Sequence, residues 1–301
     1  MLALEIENLK KIYQNGYCAV DNINLKIEEG DFFGVLGPNG AGKSTTINIL
    51  SSLITKTSGN ISVLGYSIDK DPLKVKSLLG IIPQEINLSL HENIVDILVT
   101  QAGFYGVPRK IALERAEKYL ILLELWDKRN NISRNLSGGM KRRLMIARAL
   151  MHDPKILILD EPTAGVDIEI RHLIWELLSD LNKSGKTILL TSHYLEEVER
   201  LCNNIAIIHH GLIVENGRVA DILNKLDEEV YVLHLQEDAK QTQLTNEHMK
   251  LTDSKTIELS VFSSSNLGKI IADLVANNIK IKSISNKINR LEKFFLQVTK
   301  N

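Results

Sequence analysis

The octet Gly37-Pro38-Asn39-Gly40-Ala41-Gly42-Lys43-Ser44 matches the pattern G-x-x-x-x-G-K-[ST]. It lies between an apolar run, Asp31 to Leu36, and a stretch from Ser44 to Leu53 in which Ile47, Leu50 and Ile54 recur at helical spacing. That context restricts the chain to a buried parallel strand, a tight loop and a helix. Glycines without a Cβ let backbone N–H groups converge on an anion, and the positive end of the following helix faces the same point. Lys43 adds a point charge, and Ser44 adds a hydroxyl suited to a magnesium ion bridging β- and γ-phosphates. Together with Thr45, these eight residues are expected to hold a nucleoside triphosphate.

At 301 residues and 44% hydrophobic, the chain can bury a large core, and its length suits two domains better than one. A net charge of -1 supplies no global field toward nucleic acid or an anionic membrane, so no nucleic-acid partner is expected. Cys18 and Cys202 form no C-x-x-C pattern, which suits a reducing compartment and no metal cluster. Met1 to Lys10 carries Glu5 and Glu7 where a signal peptide would be apolar, and no run approaches the ~18 apolar residues of a membrane span. The N-x-[ST] matches at Asn60, Asn87, Asn131 and Asn135 have no consequence in such a compartment.

Alternation in Leu2 to Ile6 and at Ile23, Leu25 and Ile27 predicts half-buried antiparallel strands, while Ile156 to Leu159 and Thr187 to Leu190 read as buried parallel ones. Ser89-x-x-Glu92 reads as a capping box opening a helix to about Gly103. Pro108 opens another through Leu123, and Lys141 to Met151 continues as a third, so residues about 89–150 form a helical insertion. Of 18 glycines only Gly268 lies after residue 220, which places a boundary between domains 1–220 and 221–301. In the second, Val230 to Leu235, Thr256 to Val261 and Ile279 to Ile284 read as strands, and Asn266 to Ala276 and Asn289 to Thr299 as amphipathic helices. The expected fold class is α/β, with a mixed sheet, an antiparallel subdomain, the helical insertion and a small α+β C-terminal domain.

Leu136-Ser137-Gly138-Gly139-Met140 directly precedes a helical run, and Ile156-Leu157-Ile158-Leu159-Asp160-Glu161-Pro162-Thr163 is a strand ending in paired carboxylates. With Gln84 after Ile81-Ile82-Pro83, the Gly165-Val166-Asp167 turn and His193 in Thr191-Ser192-His193, residues 1 to about 220 resemble an ABC-type ATPase, a P-loop NTPase cassette. Asp160, ending a buried strand beside the phosphate loop, can hold the magnesium ion together with Ser44. Glu161 is then free to orient and deprotonate the attacking water as general base. His193 ends the next strand, where it can bond the γ-phosphate and steady Glu161. The resemblance implies that Gln84 senses the γ-phosphate, adds to the metal site and abuts a transmembrane partner; a plain loop glutamine is the alternative. It likewise implies that Tyr13 stacks on adenine, against the alternative of a strand packing residue.

Ser137, Gly138 and Gly139 repeat the anion-binding arrangement at a second helix start. The resemblance implies that a second copy of the chain pairs head to tail, each signature segment capping the ATP held by the other, with Asp167 in the shared site. The sequence has no recognisable arginine finger, so hydrolysis is expected to depend on that pairing. Met140 departs from the glutamine of many members and cannot make an amide's hydrogen bond across an interface. Lys141, Arg142, Arg143 and Arg148 read as solvated or paired charges on the outer face of the helix, with no binding role. His91, His152, His172, His209 and His210 lack metal-ligand spacing, and Trp126 and Trp175 read as core or surface residues.

The Met variant, Tyr194-Leu195-Glu196-Glu197 and Asn289-Arg290-Leu291-Glu292-Lys293-Phe294-Phe295 look most like ATP-binding subunits of bacterial drug, lipid or polysaccharide exporters. The expectation is therefore an ATPase using ATP and Mg2+, cytoplasmic and held on the inner face of the membrane by a separate permease. The rivals are a soluble ABC ATPase acting on ribosomes or nucleic acid, and an importer subunit, whose C-terminal extension is commonly longer.

Overall fold

The computed structural model describes residues 1–239, 248–262 and 266–299. The remaining residues of the expected second domain, 240–247, 263–265 and 300–301, lie outside those described. The chain divides into two compact units, Met1–Gly217 and Arg218–Asn301.

In the first unit the elements run β1 (Leu2–Ile12), β2 (Cys18–Glu28), β3 (Phe32–Leu36), α1 (Lys43–Leu50), β4 (Ser58–Val63), β5 (Tyr66–Ser67), α2 (Pro72–Leu78) and β6 (Leu79–Ile82). They continue with α3 (Ile94–Phe104), α4 (Arg109–Leu122), α5 (Gly138–Leu150), β7 (Ile156–Asp160), α6 (Ile168–Lys183), β8 (Thr187–Thr191), α7 (Leu195–Leu201), β9 (Asn204–His209) and β10 (Leu212–Arg218). One sheet is antiparallel, in the order β2-β1-β4-β5. Its alternation places Ile23, Leu25 and Ile27 inside and their neighbours out, as the period of two requires.

The second sheet runs β10-β9-β3-β8-β7-β6, with β3, β6, β7, β8 and β9 parallel. Strands β3, β7 and β8 are buried along their whole length, which explains their unbroken apolar runs. One apolar cluster joins the two sheets around α1: Leu4, Ile6 and Ile61 meet Ile47 and Leu50 from the helix and Val35, Ile158 and Leu189 from the parallel strands. Burying each such side chain is worth roughly 1.5–3 kcal/mol. Helix α1 stops at Leu50, and Ile54 packs against the cluster from outside the helix.

Helices α3, α4 and α5 pack on one another. The expected capping box at Ser89 and Glu92 is not formed: α3 begins at Ile94 with Asn93 at its N-cap. The Ser89 and Glu92 carbonyls are instead engaged by the Ser133 hydroxyl and amide, and Asn93 bridges to Ile132. Pairing with the turn at 132–135 outcompetes a local helix start, a tertiary override of propensity.

The second unit contains α8 (Val219–Leu223), β11 (Glu228–Leu235), β12 (Met249–Asp253), β13 (Thr256–Phe262), α9 (Leu267–Ala276), β14 (Ile281–Asn286) and α10 (Arg290–Thr299). Its antiparallel sheet has the order β12-β13-β11-β14 and a core of Leu233, Leu235, Ile257, Leu259, Leu274 and Ile279. Asn266 caps α9 by accepting from the Lys269 amide, and the Asn289 carboxamide accepts from Glu292 N–H at the start of α10. No helix among the described residues is long and apolar enough to cross a membrane.

Gly80 sits where β6 presses on the turn before β7. A Cβ there would lie 2.7 Å from Pro154 Cγ and 2.8 Å from the Ala149 carbonyl. Gly80→Ala is expected to lower the stability of this unit by roughly 1–3 kcal/mol in denaturant unfolding. Gly103 in α3 has open space around its Cβ position, so Gly103→Ala should instead raise stability by up to about 1 kcal/mol.

Candidate active site

Because β3, β6, β7 and β8 are parallel, their carboxyl ends open onto one edge of the sheet. That edge receives the phosphate loop after β3, Gln84 after β6, Asp160 and Glu161 at the end of β7, and His193 after β8. The loop leaves no room for side chains at two of its glycines. A Cβ on Gly37 would lie 2.3 Å from the Ile208 carbonyl, and one on Gly42, whose φ is +111°, would lie 2.5 Å from the Ala19 carbonyl. The Ala41 amide closes the turn on the Pro38 carbonyl at 3.2 Å.

Lys43, 7% exposed, curls back over the loop and donates to the carbonyls of Gly37 (2.6 Å) and Pro38 (3.0 Å). Burial pulls its ammonium below the ordinary lysine value, and the carboxylates of Glu161 and Asp160 oppose that pull. A 200 Å³ cavity beside it is lined by Tyr17, Asn39 to Thr45, Gln84 and Glu161. Tyr13 follows directly after β1 and its hydroxyl meets Thr45 Oγ1 at 3.3 Å, while Lys11 Nζ lies 5.1 Å from its ring centre. Tyr17 donates to the Gly40 carbonyl at 3.2 Å. Sequence reasoning passed over Tyr17, although a second aromatic four residues beyond Tyr13 was a visible signal.

Asp160 is 6% exposed and accepts a hydrogen bond from Thr191 Oγ1 on the neighbouring strand. Burial pushes its carboxyl above the usual range, against the hydrogen bonds from Thr191 and Ser44 and the charge of Lys43. Glu161 turns out of the strand with a left-handed φ of 49°, its amide donating to the Thr191 carbonyl at 3.0 Å. Its Oε2 receives Gln84 Nε2 at 3.3 Å and lies 3.1 Å from His193 Nδ1. Three residues singled out from distant stretches of sequence thus meet at one carboxylate oxygen, a geometry that can aim a water at a phosphate held in the loop.

The signature segment lies elsewhere. Ser137 Oγ caps α5 by accepting from Met140 N–H at 3.2 Å, and none of Ser137, Gly138 and Gly139 lines the phosphate cavity. Asp167 caps α6 in the same way, accepting from Ile170 N–H at 2.9 Å, and does not line the cavity either. The arginines that follow the signature are paired, as one of the two readings had it, but Arg142 and Arg143 do not lie on an outer face. Arg142 and Arg143 are buried; Arg142 donates to the carbonyls of Pro83 and Gln84, and Arg143 donates to that of Leu123 and pairs with Glu124. Arg148 forks onto Asn87. Helix α5 turns these side chains inward, where bare loop carbonyls need donors.

A second buried carboxyl was also missed. Glu197 on α7 is fully buried, and its Oε1 accepts from Trp175 Nε1 on α6 (2.7 Å) and from Thr163 Oγ1 (3.0 Å), two residues beyond Glu161. Arg171 stacks on Tyr194, 4.4 Å from its ring centre, and Tyr194 packs against His193 at 4.0 Å. Helices α6 and α7 therefore hold the segments around Glu161 and His193 in one packed assembly.

The chain is similar to known ABC transporter ATP-binding proteins. The profile of the ABC transporter family matches residues 20–164. The linearmycin resistance ATP-binding protein LnrL of Bacillus subtilis is 36% identical over 98% of both chains. The Nod factor export ATP-binding protein I of Cupriavidus metallidurans is 40% identical over 73% of each. A solved ATP-binding subunit of an ABC transporter matches at a TM-score of 0.69 and 29% identity, over 73% of this chain and 91% of that one. A dimeric ATP-binding cassette in a post-hydrolysis state with ADP and Pi matches at 0.67 and 29% identity, over 72% of this chain and 98% of that one.

Burial raises the Glu197 carboxyl above its ordinary range, against its hydrogen bonds. A raised folded-state value means that the folded chain holds this proton more tightly than the unfolded one. The stability it contributes is present at low pH and is lost as pH rises through the folded value. The melting temperature of Glu197→Gln minus that of wild type is therefore expected to grow between acidic and mildly alkaline pH. A difference flat across that range would show that the buried charge carries no penalty.

Proposed function

The chain belongs to the ABC transporter ATP-binding proteins and is an ATPase, and we propose that it powers an exporter as one of two identical subunits paired head to tail beneath a separate membrane permease. The observation that carries the hydrolytic part is the meeting of Gln84 and His193 on Glu161 Oε2 beside the phosphate loop. Export is supported by the relatives, one concerned with linearmycin resistance and matching along both units, the other with Nod factor export. On this reading the chain works at the cytoplasmic face of the membrane.

The triphosphate would lie against the backbone amides of Gly37 to Thr45, with Lys43 on its β- and γ-oxygens and Tyr13 against the adenine. The Ser44 hydroxyl lowers the Asp160 carboxyl against the effect of burial, so two hard oxygen donors lie together, and Gln84 can add a third. Among the described residues no group of three His, Cys, Asp or Glu is arranged to hold a metal. This fits Mg2+, which draws most of its ligands from phosphate and water and would neutralise charge on the β- and γ-oxygens. Glu161 takes a proton from water as the water oxygen bonds to the γ-phosphorus. The bond to the β–γ bridging oxygen breaks, and ADP and phosphate leave. Gln84 and His193 hold the Glu161 carboxylate in line.

Ser137, Gly138 and Gly139 do not line the chain's own phosphate cavity, so the positive end of α5 is free to cap a nucleotide on the second copy, beside Asp167. Closure of the pair would then move the segment from Gln84 to Gly106 against the permease.

Glu161→Gln is expected to bind ATP normally, to hydrolyse it about 10²- to 10⁴-fold more slowly, and to run as a dimer in size-exclusion chromatography only when ATP is present. Lys43→Ala should lose tight ATP binding in a titration. Wild-type turnover in the first variant would remove Glu161 as base. Copurification of the wild-type chain with ribosomes or nucleic acid instead of a polytopic membrane protein would replace export as the function.

A further inference from the structure

Arg142 lies in the second turn of α5, the helix that Ser137 caps and that presents the signature segment. Its side chain is only 4% exposed and runs to the segment that follows β6. There Nη1 donates to the Pro83 carbonyl and Nη2 to the Gln84 carbonyl, each at 2.8 Å. These carbonyls lie just beyond Ile82↔Leu159, the last register pair of β6 with β7, where the sheet ladder no longer fixes the backbone. A planar fork on two successive carbonyls sets the direction as well as the position of the chain that follows. Further along α5, Arg148 makes a second fork onto the carbonyl and side-chain oxygen of Asn87. The segment from Pro83 to Asn87 is thus fastened at two points to the helix that carries the signature.

The Gln84 side chain continues this connection by donating to Glu161 Oε2 at 3.3 Å. We infer that Arg142 is a positioning residue that couples the signature helix to Gln84, so that ATP carried by the partner copy and capped at Ser137 to Gly139 is registered at this chain's own Glu161. The inference rests on the head-to-tail reading of the preceding subsection and adds the route by which one nucleotide affects hydrolysis of the other. Helix α5 is a rigid lever for this purpose, because Leu144, Met145, Ile146, Ala147 and Leu150 are all buried along it. A shift at its capped end therefore moves the guanidinium instead of being absorbed by the helix.

Arg142→Lys keeps the charge but removes the fork. In the full chain it is expected to leave equilibrium ATP binding unchanged while lowering kcat by about ten- to a hundredfold. The Hill coefficient for ATP should fall to about 1. A double-mutant cycle with Gln84→Ala, which removes the side chain but keeps the carbonyl that Arg142 grips, separates coupling from general structural support. If Arg142 acts through Gln84, Arg142→Lys adds little to the loss already caused by Gln84→Ala. Additive losses, or an unchanged kcat in Arg142→Lys, would overturn the inference. Should Arg142→Lys be too unstable to bind ATP, the same cycle is run with Arg142→Gln. Pairing is tested separately in the Glu161→Gln background, with and without Arg142→Lys. ATP-dependent dimers with an additive cycle would reject only the role of Arg142, whereas no dimer in either chain would reject the head-to-tail reading as well.

Discussion

The parallel register of β6, β7, β8 and β3 is the constraint on which the rest of the molecule depends. Asp160 lies opposite Thr191, and Val35, one residue before the end of β3, lies opposite the same threonine. The strands therefore stop within one residue of the same level, and the residues that follow emerge side by side. A shift of one residue in any pair would turn the strand over and carry its carboxylate or hydroxyl to the other face. The pairing is held by apolar side chains on both faces, as in β7 and β8, which are buried throughout. The core that stabilises the sheet and the alignment that assembles the site are thus one feature.

Charges enter this interior in compensating sets. Lys43 is buried against the field of Asp160 and Glu161, and the same carboxylates favour the buried charge of Arg142. Removing one member would leave the others desolvated and unpaired, which generally costs more than the pair contributes. Thr191 also has two tasks, since its hydroxyl donates to Asp160 while its carbonyl accepts from the Glu161 amide. The cluster is a network in which no bond can be valued alone.

The parts legible in the sequence are those whose chemistry is local. The phosphate loop declares itself because its glycines, lysine and serine occupy adjacent positions in one octet. The buried strands declare themselves because burial on both faces removes polar residues from Ile156 to Leu159 and Thr187 to Leu190. Tertiary partners were not legible. Ser89 has the form of a cap, yet its carbonyl is taken by Ser133, which lies far away in sequence. Arg142 and Arg143 read as surface charge because nothing in Lys141-Arg142-Arg143 shows that the free carbonyls of Pro83, Gln84 and Leu123 lie opposite. Glu197 was hidden in a run of acidic residues, and only the approach of Trp175 and Thr163 distinguishes it from the exposed Glu196.

The backbone at Glu161 explains how neighbouring carboxylates can have different surroundings. A left-handed φ at a non-glycine residue costs about 1–3 kcal/mol and persists only where its surroundings enforce it. Here Thr191 holds the Glu161 amide from both its carbonyl and its hydroxyl, and the Ala164 amide takes the Glu161 carbonyl. Breaking the strand at this residue interrupts the side-chain alternation. Asp160 therefore meets Ser44 and Thr191 while Glu161 meets Gln84 and His193. Without the break, the two side chains would follow the strand to opposite faces of the sheet, and Glu161 would be buried away from the phosphate loop. The strain at one residue is what brings both carboxylates to the same edge in separate environments.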